Sequence, residues 1–251
     1  MSNEQFGPDV VTLSFDIGGS GVKAALLDAR GEMLSEKVRV DTPYPCPPTR
    51  LIEAMREVES RLPGYDRISV GFPGLVRDGI VHFVPSLSRA TLEGPTDSQL
   101  VMAWLHHNLR ASIQTAFKVP VRVANDADVQ GSAVIAGKGL EFVMTLGTGV
   151  GTALFFNGAL LPHLELGHTP FRKGMTTEEQ IGNAARKSVG NERWVTRVKK
   201  AVAAYDTYLY YDHIFIGGGN ARLLPADAFG AKATIVSNTA GILGGIRIWD
   251  R

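Results

Sequence analysis

Cysteine is nearly absent: Cys46 is the single one in 251 residues. One thiol forms no internal disulfide, so nothing points to an oxidising compartment, and a cysteine-based zinc site is excluded. No apolar run reaches the ~18 residues that a spanning helix needs. Residues 1–9 lack the basic start and apolar centre of a secretory signal. An excess of either charge is missing too. The 26 Lys and Arg against 25 Asp and Glu leave a net charge of +1, which gives no general pull toward nucleic acid or anionic membrane. The expectation is a cytoplasmic enzyme or binding protein with neither kind of partner. At 44% hydrophobic and 20% charged residues, the chain has material for one large domain or two small ones.

Glycine is plentiful, and it is concentrated in turns. Asp16 to Lys23 reads D-I-G-G-S-G-V-K between two apolar runs, Val10 to Phe15 and Ala24 to Leu27. Two strands joined by a glycine turn fit this best. Without a Cβ, such a turn can press its N–H groups against an anion. The loop opens into a strand and no G-K-[ST] ends it, which argues against a P-loop and a dinucleotide fingerprint. A second turn, Leu146 to Gly151, reads L-G-T-G-V-G and again joins two apolar runs. Two such turns suit a phosphoryl donor held from both sides. Asp16, at a strand end, suits Mg²⁺ held through water, or the transferring group itself.

The other elements follow from spacing. Strands are expected at Leu34 to Val40, Arg67 to Phe72, Ile80 to Val84 and Pro120 to Ala124. Cys46 lies in the proline-rich connection between Thr42 and Pro48 and reads as an incidental thiol. Leu51, Met55, Val58 and Leu62 share one helical face. Asp97 reads as the N-cap of a long helix whose ladder is Val101, Leu105, Leu109, Ile113 and Phe117. Further strands are expected at Phe142 to Leu146, Thr152 to Phe156, Ala159 to Leu161, His213 to Ile216 and Thr234 to Val236. Helices are expected at 177–189, 191–211 and 239–249. Each half reads as three antiparallel strands followed by helices alternating with strands. Two similar α/β lobes with a ligand cleft between them are therefore expected, residues 1–124 and 125–251. The last helix is expected to pack back on the first lobe.

Three constellations offer chemistry. Asn125-Asp126 closes an apolar strand where a helix begins. Capping explains one of the two, and a strand-end carboxylate can instead take a proton from a hydroxyl. Glu165 and His168, three apart in a loop, can orient hydroxyl groups; no cysteine or second histidine at suitable spacing supports zinc. Gly217-Gly218-Gly219 is either a tight strand–helix junction or a bed for a flat ring.

Taken together, these stretches resemble the ROK sugar kinases, most closely their short polyphosphate-glucokinase branch. The matching segments run in order: Asp16 to Lys23, G-F-P-G-L-V at Gly71 to Val76, N-D-A-D at Asn125 to Asp128, T-L-G-T-G-V-G at Thr145 to Gly151, E-L-G-H at Glu165 to His168, Gly217 to Gly219, and N-T-A-G-I-L-G at Asn238 to Gly244. The resemblance implies the two-lobed actin-like ATPase fold, ribonuclease H-like in each lobe. It implies transfer of a phosphoryl group from ATP or inorganic polyphosphate to a sugar hydroxyl, typically O6 of a hexose such as glucose. Asp126 would be the general base. Gly74, Asn125, Asp126, Glu165 and His168 would bind the sugar, with either Glu178 or Glu179, between which the sequence does not choose. Gly18, Gly19, Ser20, Lys23, Gly147, Thr148 and Gly149 would cradle phosphates, Asp16 would face Mg²⁺, and Gly218 and Gly219 would lie near a nucleotide base. A homodimer is expected from the same resemblance.

The chain departs from the wider family in three ways. It lacks the cysteine-rich zinc motif after E-x-G-H, so no zinc is expected. It shows no winged-helix extension, which argues against a repressor. Ser86 stands where many relatives carry a sugar-contacting asparagine, which leaves mannose, fructose or an N-acetylated hexosamine as alternative acceptors. Rival readings are a non-catalytic sugar sensor and a polymerising actin-like ATPase. Both phosphate turns and Asp126 speak against the first, Glu165 and His168 against the second. Basic pairs at Arg172-Lys173 and Arg186-Lys187, or Arg197 with Lys199-Lys200, either form a polyphosphate track or are solvated helix faces.

Overall fold

In a computed structural model, which describes residues 6–236 and 240–249, the chain divides into two units. One is Met1–Ala133 together with Ala240–Arg251, and the other is Val134–Thr239.

The glycine turn of the first unit joins β1 (Thr12–Gly18) to β2 (Gly21–Leu27) in a hairpin that pairs Gly18 with Gly21. There follow β3 (Val38–Val40), α1 (Pro48–Glu59), β4 (Arg67–Phe72), the small hairpin β5 (Leu75–Arg77) and β6 (Ile80–Phe83), α2 (Ser98–Trp104), α3 (Leu109–Phe117), β7 (Val121–Asn125) and α4 (Asp126–Ser132). The sheet order is β3-β2-β1-β4-β7. Its first three strands are antiparallel, and β1, β4 and β7 are parallel. Leu13, Phe15 and Ile17 of β1 pack with Leu51, Met55 and Val58 of α1, the face that the helical spacing selects.

The second unit repeats this order. It holds β8 (Leu140–Leu146), β9 (Val150–Phe156), β10 (Ala159–Leu160), the hairpin β11 (Pro170–Arg172) and β12 (Met175–Thr176), α5 (Thr177–Ile181), α6 (Asn183–Val189), α7 (Asn191–Leu209), β13 (His213–Gly217) and β14 (Ala233–Ile235). Its sheet runs β10-β9-β8-β13-β14, antiparallel and then parallel. Trp194, Val198, Val202 and Tyr205 of α7 are buried against it. No helix among the described residues is long and apolar enough to cross a membrane.

Several stretches differ from the sequence expectation. Of the strand expected at Leu34 to Val40 only Val38–Val40 forms, and the helix expected at 177–189 is interrupted at Gly182, whose ψ of 172° is extended. The long helix after Asp97 is broken, because the backbones of His106 and His107 pair with Val81 instead. His106 adopts φ +60° and the Asn108 side chain caps a fresh helix, α3. The chain also divides after Ala133 and not after Ala124. The cause is α4, which packs on its own sheet: a Cβ on Gly71 would lie 3.5 Å from the Asp126 Cα and 3.6 Å from Val129. Asn125 and Asp126 therefore belong to the first unit.

The returning segment comprises α8 (Ala240–Leu243) and a 3-10 turn, Gly244–Trp249. Asn238 and Thr239, at the start of the expected last helix, lie outside the described residues. Buried serines in the middle of the first sheet receive this segment. Ser14 donates to the Ile242 carbonyl at 2.8 Å and Ser69 to the Gly245 carbonyl at 2.6 Å.

Candidate active site

In the first unit the polar residues gather where β1, β4 and β7 end. Register places Asp16 beside Gly71 and Phe72 beside Asn125. Carboxyl ends of parallel strands are the usual ligand edge of an open α/β sheet. Asn125 is buried and fixed at both ends of its amide. Its Oδ1 caps α4 at the Ala127 N–H, 2.8 Å away, and its Nδ2 donates to the Gly74 carbonyl at 3.0 Å. Gly74 is required there, because a Cβ would strike the Phe83 carbonyl. Asp126 is half-buried in the first turn of α4, and its Oδ1 accepts the Ala127 N–H at 2.9 Å.

The first glycine turn is held by its carbonyls. Thr42 donates its hydroxyl to Gly18 at 2.6 Å, Tyr44 to Gly19 at 2.7 Å, and Arg39 Nη2 donates to Ser20 at 2.7 Å. In a trans peptide the N–H points opposite to the carbonyl of the same plane. Carbonyls tied outward at Gly18 and Gly19 thus turn the N–H groups of Gly19 and Ser20 the other way. Lys23 Nζ lies 3.2 Å from Asp16 Oδ2. Ser86 abuts this turn: its carbonyl lies 3.2 Å from the Tyr44 hydroxyl, and its own Oγ is buried without a hydrogen-bond partner. Cys46 is buried, and burial pushes its thiol up to about 12, which removes it as a nucleophile at neutral pH.

The second unit uses the same device on its own turn. Asn220 Nδ2 donates to the Gly147 carbonyl at 3.0 Å, and the Asn183 N–H to the Thr148 carbonyl at 3.1 Å. The N–H groups of Thr148 and Gly149 are thereby turned opposite. Gly218, at φ +87°, packs against this turn, and a Cβ there would meet Leu146 O at 2.5 Å. A Cβ on Gly219 would meet nothing within 4 Å.

Glu178 and the Gly167 backbone both meet the second turn at Val150. Glu178 Oε2 accepts the Val150 N–H at 3.0 Å, and a Cβ on Gly167 would meet the Val150 carbonyl at 2.5 Å. Glu179, its sequence neighbour, is committed elsewhere. With Thr176 it forms the capping box of α5, accepting the Thr176 N–H at 2.7 Å and its hydroxyl at 3.0 Å. His168 is exposed at the end of a 3-10 turn.

Glu165 has a partner that the sequence reading missed. The buried His163 Nε2 lies 3.4 Å from Glu165 Oε1. Burial raises the Glu165 carboxyl, but the neighbouring imidazoles of His163 and His168 outweigh it and leave it below the usual carboxylate range. Replacing His163 by Gln leaves burial with less opposition. The acid limb of any Glu165-dependent kcat/KM should move to higher pH in His163→Gln, as a pH profile of both proteins will show. An unmoved limb would remove His163 from this role.

Two units that repeat one mixed sheet, each with a carbonyl-tied glycine turn, define an actin-like ATPase fold. The ROK family model matches residues 12–187, and the chain belongs to the ROK family. A polyphosphate glucokinase of Mycobacterium tuberculosis (strain CDC 1551 / Oshkosh) is 28% identical over 247 residues, spanning 91% of this chain and 87% of its own. The crystal structure of an inorganic polyphosphate/ATP-glucomannokinase from Arthrobacter sp. strain KM superposes with a TM-score of 0.80 at 27% identity, covering 96% of this chain and 98% of its own. A ROK family glucokinase from Streptomyces griseus, solved with glucose and AMPPNP, shares the fold at a TM-score of 0.73 and 17% identity, covering 95% of this chain and 98% of its own.

Proposed function

We propose that the protein transfers a phosphoryl group from inorganic polyphosphate or ATP to a hexose hydroxyl, with O6 of glucose the expected acceptor. The observation that carries this is the pair of turns at 18–20 and 147–149, whose carbonyls are tied back by donors from outside. The activities named for the Mycobacterium and Arthrobacter relatives supply the reaction class.

In this reading Asp126 takes the proton of the attacking hydroxyl, and Asn125, Gly74, Glu165, His168 and Glu178 position the sugar. Gly18, Gly19, Ser20, Gly147, Thr148 and Gly149 hold phosphates through backbone N–H groups, and Lys23 adds a positive charge. Such transfer needs positioning and charge stabilisation more than covalent chemistry. Mg²⁺ commonly binds through one or two carboxylates plus substrate phosphates and keeps several waters. Asp16 fits that donor set, although no group of three or more His, Cys, Asp and Glu able to hold a metal occurs among the described residues. When bound, the ion neutralises donor charge. Gly218 serves chain packing, while Gly219 leaves open space suited to a flat base. The lone, buried thiol suits a cytoplasmic location, and sedimentation will test the expected homodimer.

The test is sugar-phosphate formation from glucose, with mannose, fructose and an N-acetylhexosamine in parallel because of Ser86, each with Mg-ATP and Mg-polyphosphate. No product with any pair overturns the reading. The Glu178 bond to Val150 and the Glu179 capping box support Glu178, of the two, as the sugar ligand. Glu178→Gln should raise the sugar KM about tenfold, the scale of a lost charge-assisted hydrogen bond. Glu179→Gln should leave it within about twofold, because an exposed cap residue contributes to the helix and not to the ligand. Equal effects would refute the assignment.

A further inference from the structure

Tyr44, half-buried in the connection before α1, touches two segments with different tasks. Its hydroxyl donates to the Gly19 carbonyl at 2.7 Å and lies 3.2 Å from the Ser86 carbonyl. On the donor side, the Gly19 carbonyl shares a peptide plane with the Ser20 N–H, one of the groups given to phosphate above. A hydrogen bond at one end of a peptide group polarises it and strengthens the bond at the other end. On the other side, the Ser86 segment follows β6, whose last residue, Phe83, packs on Gly74. A Cβ on Gly74 would strike the Phe83 carbonyl and lie 3.0 Å from the Val84 Cα. The Gly74 carbonyl in turn receives Asn125 Nδ2 at 3.0 Å. Within the first unit, a continuous run of contacts thus leads from the phosphate turn through Tyr44 to Asn125.

The Ser86 segment also has something to gain by shifting. Its Oγ is buried with no hydrogen-bond partner among the described residues, so an arrangement that pairs it gains a bond. Thr42 and Arg39 brace the same turn, but their bonds to it end at Gly18 and Ser20. Tyr44 alone of the three braces reaches on to Ser86.

We propose that Tyr44 is a positioning residue that couples the two substrates: phosphate on the first turn tightens sugar binding at Asn125, and sugar tightens donor binding in return. This rests on the phosphoryl-transfer reading above. Such coupling is reciprocal, since both ligands favour one arrangement of the linking segment.

The experiment titrates the 6-deoxy analogue of the accepted sugar, 6-deoxyglucose for glucose, which lacks the accepting hydroxyl. Calorimetry gives its Kd without donor and at saturating Mg-ATP or Mg-polyphosphate, and the ratio of the two measures the coupling. The unaltered protein should show a ratio of about fivefold or more. Tyr44→Phe keeps the ring and loses the shared hydroxyl, and its ratio should fall to within about twofold of one. Thr42→Val should weaken donor binding about fivefold, the scale of a lost hydrogen bond, and keep the ratio. A merely structural brace would move the affinities and not the ratio. A ratio near one in the unaltered protein, or an unchanged ratio in Tyr44→Phe, overturns the proposal alone. Loss of the ratio in Thr42→Val as well assigns the coupling to general order of the turn and also overturns it. No transfer from either donor to any sugar by the unaltered protein overturns the functional reading and this proposal together.

Discussion

Replacing Asp126 by Asn should lower kcat by about 10²–10⁴, the range that general acid–base groups contribute. The sugar KM should change far less. Asn is isosteric and keeps an oxygen to accept the Ala127 N–H, which Asp126 Oδ1 now accepts at 2.9 Å. The first turn of α4 is therefore preserved, and the neighbouring Asn125 keeps its own bonds to Ala127 and Gly74. What disappears is a carboxylate able to take a proton at the end of β7. The split between kcat and KM is the informative readout, because a positioning loss would move both. Near-normal turnover in a folded Asp126→Asn protein would remove Asp126 from the role of base.

How much of this site the sequence revealed depends on the distance over which each feature is specified. Asp16, Asn125 and Asp126 stood out as candidates because each closes an apolar run; the capping that the sequence also allows is what Asn125 does at the Ala127 N–H. The two glycine turns were legible for the same reason. Their braces were not. Thr42 and Tyr44 lie 24 and 25 residues from the carbonyls they hold, and Asn220 lies 73 from Gly147. No local periodicity encodes such pairings. His163 likewise reaches Glu165 only because the loop folds on itself. Glu178 and Glu179 are different, since a usable signal was present. Thr176 followed three residues later by Glu179 is the capping-box pattern and marks Glu179 as a helix terminus residue.

The fold divides along similar lines. Hairpins at Gly18–Gly21 and Asn157-Gly158, and the buried faces of α1 and α7, follow from composition and spacing. The ladder from Val101 to Phe117 was misleading because its apolar spacing continues across a break. There, backbone pairing of His106 and His107 with Val81 replaces the helical bonds, and Val101 and Leu105 are left exposed. The division at Ala133 was hidden because it depends on which sheet α4 packs against, a tertiary choice. The same choice makes the chain's last described residues part of the first unit.

That return carries the second large effect. Trp249→Ala should destabilise the first unit by about 3–5 kcal/mol, the usual cost of emptying a buried Trp site. Trp249 is 1% exposed. Its ring meets Phe6 edge-on at 5.4 Å, and the guanidinium carbons of Arg67 and Arg122 lie 4.7 Å and 5.0 Å from its centroid. Its Nε1 donates to Ser69 Oγ at 2.8 Å. Arg67 is itself fully buried, with Nε bonded to Thr12 Oγ1 at 2.9 Å. Removing the indole thus leaves a cavity beside buried charge and withdraws cation–π contacts that gain strength when desolvated. Trp249→Phe keeps most of the volume and one aromatic face, and should cost only about 1 kcal/mol for the lost hydrogen bond. Urea unfolding will separate these outcomes, because Trp104 reports on the first unit and Trp194 on the second. The loss should fall on the transition that Trp104 follows. An unmoved midpoint in Trp249→Ala would mean that the returning segment adds nothing to the sheet it covers, and that the buried Ser14 and Ser69 need another explanation.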